Sequence, residues 1–309
     1  MKIYDVIIVG GGPAGYSAAL YCARAGLETL VVEKLSAGGQ MATTALVDNY
    51  PGFDEGIDGF VLAEKMARGA TRFGAETQYA EVTGIDLAST PKRIETTDGV
   101  LTAKAVILAM GASPRELGLQ GEREMRGRGV HYCATCDAMF YKGRTVAVIG
   151  GGNTAVSDAL TLSRMSRKVY IVHRRDQLRA TKNYLEPLRK AGNIEIVWNA
   201  LITGFERAGD GKFAGLELTD KVTGEQTKLS CDGAFVAIGR SPDSALVKGQ
   251  IALDDGGYIV ADETTRTSLP GVFAVGDIRT KHLRQIVTAA ADGAVSSVFA
   301  EEYINELKD

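Results

Sequence analysis

Along the chain, short apolar runs that stop at glycine alternate with longer segments of helical apolar spacing, and one such series occurs twice. Residues 3–9 predict a buried strand, 13–25 an alanine-rich helix, and 28–33 a second strand. The same order returns as strand 144–149, helix 153–165 and strand 168–173. Both first strands run into a glycine cluster, Gly10-Gly11-Gly12-Pro13-Ala14-Gly15 in one copy and Gly150-Gly151-Gly152-Asn153-Thr154-Ala155 in the other. A lone cluster of this kind says little. Two copies, each with its strand, helix and second strand, are a strong signal for dinucleotide binding.

A later element is repeated too. The apolar strand Ala105-Val106-Ile107-Leu108-Ala109 leads into Gly111 and then Ser113-Pro114, and Ala234-Phe235-Val236-Ala237-Ile238 leads into Gly239 and then Ser241-Pro242. Ala109, Gly111, Ile238 and Gly239 thus stand where backbone is expected to pass close to a nucleotide. A further strand and turn, Gly271 to Asp277, precedes a helical stretch from about His282 to Leu307 that makes better sense returning to the first copy. The expected architecture is α/β: two Rossmann-like dinucleotide domains, the second inserted in the first. The first comprises residues 1–112 and 242–309, and the second residues 113–241.

The two sites differ in what closes them. Twenty-three residues separate Gly10 from Glu33 and Gly150 from His173. A carboxylate at this position accepts hydrogen bonds from a ribose 2′-hydroxyl and repels a 2′-phosphate. The first site therefore suits FAD or NAD. The second offers His173-Arg174-Arg175 and then Arg179. Guanidinium forks hold phosphate at about 1.5–3 kcal/mol per charged hydrogen bond, which favours NADPH.

Between the clusters lies Cys133-Ala134-Thr135-Cys136-Asp137. Zinc normally takes four ligands, and the chain offers no second cysteine pair and only three histidines, of which His131 alone is near. A redox dithiol is the better reading. Asp137 suits a general acid for the leaving sulfur, and equally a helix N-cap. Cys22 and Cys231 read as small core residues.

Composition narrows the classes. A net charge of −3 over 309 residues, with no block of like charge, argues against a nucleic-acid partner. No apolar run approaches the roughly 20 residues of a spanning helix. The opening segment faintly mimics a signal peptide, but Asp5 interrupts it and Gly10 to Gly12 end it. Four cysteines in this length make no secreted disulfide framework, so a soluble, cytoplasmic protein is expected.

Taken with Gly38-Gly39-Gln40-Met41, Asn49-Tyr50-Pro51-Gly52, His173-Arg174-Arg175-Asp176, Gly276-Asp277 and Arg284-Gln285, these motifs make the whole chain resemble the low-molecular-weight thioredoxin reductases of the prokaryotic type. The resemblance implies electron flow from NADPH to FAD, to a Cys133–Cys136 disulfide and on to thioredoxin, with rotation of the inserted domain between half-reactions. An alternative is a related flavoprotein disulfide reductase with another acceptor or donor. FAD would be held by Gly10, Gly12, Pro13, Ala14, Gly15, Glu33, Lys34, Gly38, Gly39, Gln40, Asn49, Ala109, Gly111, Gly276, Asp277, Arg284, Gln285 and Ile286. NADPH would be held by Gly150, Gly152, Asn153, Thr154, His173, Arg174, Arg175, Arg179, Ile238 and Gly239. The same resemblance implies that Cys136 faces the flavin, Cys133 attacks the partner's disulfide and Asp137 supplies the proton; it also implies a homodimer. The chain departs from the pattern at Ala138, where glycine is usual, and at Leu178, where phenylalanine is common. In the larger glutathione-reductase-like enzymes the redox cysteines follow the second strand, and here residues 38–47 contain none.

Overall fold

The computed structural model describes residues 2–44 and 46–307. The chain divides into two compact units, Met1–Ser113 with Ser241–Asp309, and Pro114–Arg240.

The first unit begins with β1 (Ile3–Val9), α1 (Pro13–Arg24) and β2 (Thr29–Glu33). Val6, Ile7, Ile8 and Val9 are buried without alternation, as in a parallel strand covered on both faces. Val6 and Ile8 pack with Ala18, Ala19 and Cys22 of α1, while Ile7 and Val9 join the core on the opposite face. Pro13 opens α1, where its missing N–H costs nothing. Next come α2 (Gly59–Thr71), β3 (Glu76–Tyr79), β4 (Val82–Asp86), β5 (Lys92–Thr96) and β6 (Gly99–Leu108). Asp58 caps α2, its carboxylate accepting from the Val61 N–H at 2.9 Å. The sheet order is β3-β2-β1-β6-β5-β4. From β3 to β6 the pairing is parallel, and β5 and β4 are antiparallel.

The chain leaves through β7 (Ala112–Pro114). The second unit then supplies β8 (Val130–His131), the short α3 (Ala134–Asp137), β9 (Thr145–Ile149), α4 (Asn153–Ser163), β10 (Lys168–Val172), α5 (Lys182–Lys190) and β11 (Ile194–Val197). An antiparallel meander follows, β12 (Ala200–Arg207), β13 (Phe213–Asp220) and β14 (Gln226–Ser230), then β15 (Gly233–Val236) and β16 (Arg240–Pro242). The main sheet is parallel throughout, in the order β11-β10-β9-β15-β8. Its core repeats the logic of the first unit, with Val146, Val148, Val169 and Ile171 packed on Ala155, Ala159 and Leu162 of α4. The crossing segments β7 and β16 pair with each other.

On its return the chain forms β17 (Val272–Ala274) and α6 (Ile286–Glu306). The strand β17 lies parallel to the end of β6, Val106 to Leu108, whose first half is taken by β5. Helix α6 starts four residues later than His282. Gln285 and Thr288 form a reciprocal capping box that fixes the first turn, and His282 to Gln285 stay outside it. The helix lies close against α1: a Cβ at Gly293 would overlap the Ala14 carbonyl, and Ser17 Oγ donates to the Ala290 carbonyl at 2.6 Å.

Candidate functional site

In the first unit the turn from β1 to α1 leaves a cradle of bare backbone. Gly10 has φ +104°, and a Cβ there would lie 2.6 Å from the Ala109 carbonyl oxygen. A Cβ at Gly15 would overlap the Gly10 carbonyl, so both positions need glycine for strand and helix to approach. Gly12 meets nothing within 4 Å, which leaves the α1 N-terminus open to an anion. Glu33, at the end of β2, accepts from the Gly11 N–H at 2.7 Å through Oε2 and from the Leu35 N–H at 3.1 Å through Oε1. The carboxylate is fixed beside the cradle and keeps further lone pairs for a ribose.

Other segments close on this turn. The Gly38 N–H donates to the Gly11 carbonyl at 2.7 Å, and a Cβ at Gly39 would stand 3.7 Å from Gly12 Cα. Gln40 Nε2 donates to the Ala112 carbonyl at 2.6 Å, near the positive-φ Gly111. Asn49 Nδ2 donates to Gln285 Oε1 at 3.0 Å, just before Ile286 opens α6. Gly276 lies against Ala14, a Cβ there reaching within 3.0 Å of the alanine methyl. Arg284 stacks 4.2 Å above the Tyr258 ring, and its Nε approaches the Asp277 carbonyl at 3.4 Å. Lys34 instead pairs with Glu81 at 2.6 Å on the exposed side of β2. Except for Lys34, the contacts above join segments around the β1–α1 turn, and its bare backbone and carboxylate are chemistry that fits FAD.

Sequence reasoning missed the group that holds the Gly276 turn. Asp292, buried in α6, accepts from the Gly276 N–H at 2.8 Å, from Arg279 Nε at 2.9 Å and from Lys281 Nζ at 2.8 Å. Burial works to raise its carboxyl, but the bonds from Arg279 and Lys281 outweigh it and hold the group below its ordinary value. An acid set within the alanine run Ala289-Ala290-Ala291-Asp292-Gly293-Ala294 at the start of α6 was the available signal.

The second unit repeats the cradle. Gly150 has φ +151°, and its Cβ would sit 2.5 Å from the Ala237 carbonyl oxygen. Gly152 meets nothing within 4 Å at the start of α4. Asn153 Oδ1 accepts from the Thr181 N–H at 2.8 Å, Thr154 is exposed beside it, and the Arg179 N–H donates to the Gly151 carbonyl at 2.7 Å. These bonds tie the arginine loop to the glycine turn. Arg174, Arg175 and Arg179 are exposed, and their guanidinium groups make no hydrogen bond or ion pair among the described residues. Ile238 and the positive-φ Gly239 flank the turn after β15. His173 stands apart from the arginines. It is buried beneath Gly151, where a Cβ would overlap the imidazole, and its Nε2 bonds the Gln177 carbonyl oxygen at 2.9 Å. Burial lowers its pKa, and the charges of Arg179, Arg175 and Arg174 act in the same direction. A neutral ring there shapes the floor rather than adding charge. The second cradle fits a dinucleotide with an added phosphate.

Cys133 and Cys136 are joined as a disulfide across α3, and the Cys136 N–H donates to Cys133 Sγ at 3.3 Å. Cys133, not Asp137, is the N-cap of α3. The Asp137 carboxylate turns inward instead, with Oδ2 2.9 Å from His131 Nδ1. Ala138 has φ −57°, ordinary helical backbone that alanine adopts without strain. Cys22 and Cys231 are free and buried, and burial pushes each thiol up to about 12, so neither is a nucleophile at neutral pH.

The family model for pyridine nucleotide-disulphide oxidoreductases matches residues 4–293. The thioredoxin reductase of Mycolicibacterium smegmatis is 47% identical over 305 residues, covering 98% of this chain and 97% of that protein. That of Listeria monocytogenes is 46% identical over 309 residues, covering 100% and 96%. Among solved structures, the thioredoxin reductase from Streptococcus pyogenes superposes with a TM-score of 0.90 at 39% identity, over 98% of this chain and 99% of that one. The thioredoxin reductase from Giardia duodenalis gives 0.90 at 35% identity, over 99% and 100%.

Proposed function

The chain belongs to the pyridine nucleotide-disulphide oxidoreductase family, and on that footing we propose that its two cradles and its dithiol divide the work of a thioredoxin-disulfide reductase. One observation carries the reading: a disulfide next to an acid sits on the same unit as a glycine turn with three exposed arginines whose guanidinium groups have no partner among the described residues. That is the equipment for taking electrons from NADPH and giving them to a protein disulfide.

In the Met1–Ser113 and Ser241–Asp309 unit the α1 N-terminus would hold the pyrophosphate of FAD and Glu33 its ribose. Bound there, FAD supplies a two-electron carrier between NADPH and the Cys133–Cys136 disulfide. In the Pro114–Arg240 unit the turn at Gly152 would hold the pyrophosphate of NADPH, and Arg174, Arg175 and Arg179 its 2′-phosphate. Cys133 and Cys136 end the internal path. Reduced, one sulfur attacks the disulfide of thioredoxin as a thiolate, the other resolves the mixed disulfide, and Asp137 manages the proton. Because NADPH and the disulfide ride on one unit and must reach the same carrier in turn, that unit turns about its two crossings between half-reactions.

A homodimer in the cytoplasm completes this reading. The free thiols of Cys22 and Cys231 accord with a reducing compartment, and among the described residues no helix is long and apolar enough to cross a membrane.

The direct test is NADPH-dependent reduction of candidate thioredoxins by the wild type, Cys133→Ser and Cys136→Ser. Each variant is expected to lose disulfide reduction while still oxidising NADPH slowly with oxygen. Retained thioredoxin reduction in either variant defeats the assignment.

A further inference from the structure

Asp137 is one end of a buried chain of polar groups that the electron path does not account for. Its Oδ2 lies 2.9 Å from His131 Nδ1, and His131 Nε2 lies 2.7 Å from the Tyr141 hydroxyl. The imidazole is 6% exposed and the Asp137 side chain 20%, so only the acid end meets solvent. The ring is fixed from every side. His131 sits on β8 opposite Phe235 of β15, stacked on that ring at 5.2 Å with Tyr141 edge-on at 5.2 Å. Gly233 makes room for Tyr141, since a Cβ there would overlap the phenol.

We propose that His131, braced by Tyr141, is the positioning and proton-storing residue for Asp137 in the reduction of the Cys133–Cys136 disulfide. This deepens the reading of the dithiol given above and rests on it. Breaking the disulfide with two electrons leaves one thiolate and one thiol, so one proton must be delivered. Asp137 gives its proton to the departing sulfur and takes another from His131 Nδ1, and the imidazolium becomes imidazole. In the second half-reaction the thiol proton passes to thioredoxin's leaving sulfur, and the pair is refilled from solvent at the exposed edge of Asp137. The Tyr141 hydroxyl oxygen accepts from Nε2–H in both states of the ring. It holds the singly protonated ring in the tautomer whose bare Nδ1 accepts from the refilled Asp137 carboxyl, so no buried nitrogen loses its partner. Burial, with the Asp137 charge adding to it, pushes the phenol up to about 12, so the hydroxyl keeps its own proton throughout. Facing this chain are Asp137 from α3 and, around Tyr141, the charges of Arg144 and Asp232 and the Cys231 thiol.

The alternative is a histidine that merely braces the core, and pH dependence separates the two. His131→Asn keeps a donor near the Nδ1 position but cannot titrate, and Tyr141→Phe keeps the ring and removes only the hydroxyl. The first readout is alkylation of the dithiothreitol-reduced protein by iodoacetamide across pH, which needs neither flavin nor NADPH. In both variants its midpoint is expected to move up by about half a pH unit or more, as the thiolate loses the proton donor that His131 keeps refilled at Asp137. The second is steady-state thioredoxin reduction by the holoenzyme. There kcat should fall roughly tenfold with a changed pH profile, while KM for thioredoxin and the rate of flavin bleaching by NADPH hold. An unshifted alkylation profile, or a loss of rate equal at every pH, overturns the proposal. Should His131→Asn fail to fold, Tyr141→Phe carries the test alone. A wild type that reduces no thioredoxin defeats the proposed function, and the alkylation profile still decides the role of His131.

Discussion

Arg174 and Arg175 stand exposed after β10, and the adjoining loop is pinned to Gly151 through the Arg179 amide. On the proposed reading, their charge is held where the 2′ group of a bound nucleotide would fall. Replacing both with alanine should lower kcat/KM for NADPH roughly 100-fold and leave the value for NADH almost unchanged. Steady-state kinetics with the two cofactors checks this, and unchanged discrimination counts against the phosphate site. The arginines, glycines and cysteines were legible in the sequence because their chemistry lies in the residue types and in fixed spacing along one strand–turn–helix unit. His131 was visible only as a poor zinc ligand. Its meaning depends on Tyr141, 10 residues further along, and on Phe235, which a parallel pairing across about a hundred residues brings to it, and motif spacing carries no trace of that. His173 was legible by position but not by role, because burial beneath Gly151 is set by the fold of the loop.

At the scale of elements, α6 is both a core helix and the clamp on the Gly276 turn. The Asp292 carboxylate joins that turn to Arg279 and Lys281, and all three side chains are nearly inaccessible. Asp292→Asn leaves two buried cations short of their partner and should destabilise the first unit by about 3–5 kcal/mol at neutral pH, read by urea unfolding. The sign of the pH effect follows from the lowered carboxyl. Its contribution is present above the ordinary value of 3.8 and is lost as pH falls through the lower folded value. The gap between wild type and variant should thus close only in strong acid; a gap that closes near pH 6 would place the stabilisation elsewhere. Strand and helix order could be read from the apolar runs, since parallel strands buried on both faces leave unbroken apolar segments. The start of α6 could not, because the capping box of Gln285 and Thr288 lacks the Ser or Thr lead and acidic third residue that mark such boxes in sequence.

For the molecule as a whole, the chain passes between its units only twice, at β7 and β16. The repeated Ser-Pro steps lie at those crossings, which is why an insertion could be read from the sequence at all. A cross-link that pins the inserted unit should stop turnover after one half-reaction: a single NADPH equivalent is consumed and thioredoxin reduction ceases. Full steady-state activity in the pinned protein would rule out the turning motion. The split of β6 between two partners has a separate consequence for biosynthesis. Its second half, Val106 to Leu108, waits for β17, which leaves the ribosome only after the entire inserted unit. During that interval the nascent chain displays an unpaired apolar sheet edge, the kind of template on which proteins aggregate. Termination after Leu108 but before Val272 would make that exposure permanent, so such fragments should clump unless a chaperone shields the edge.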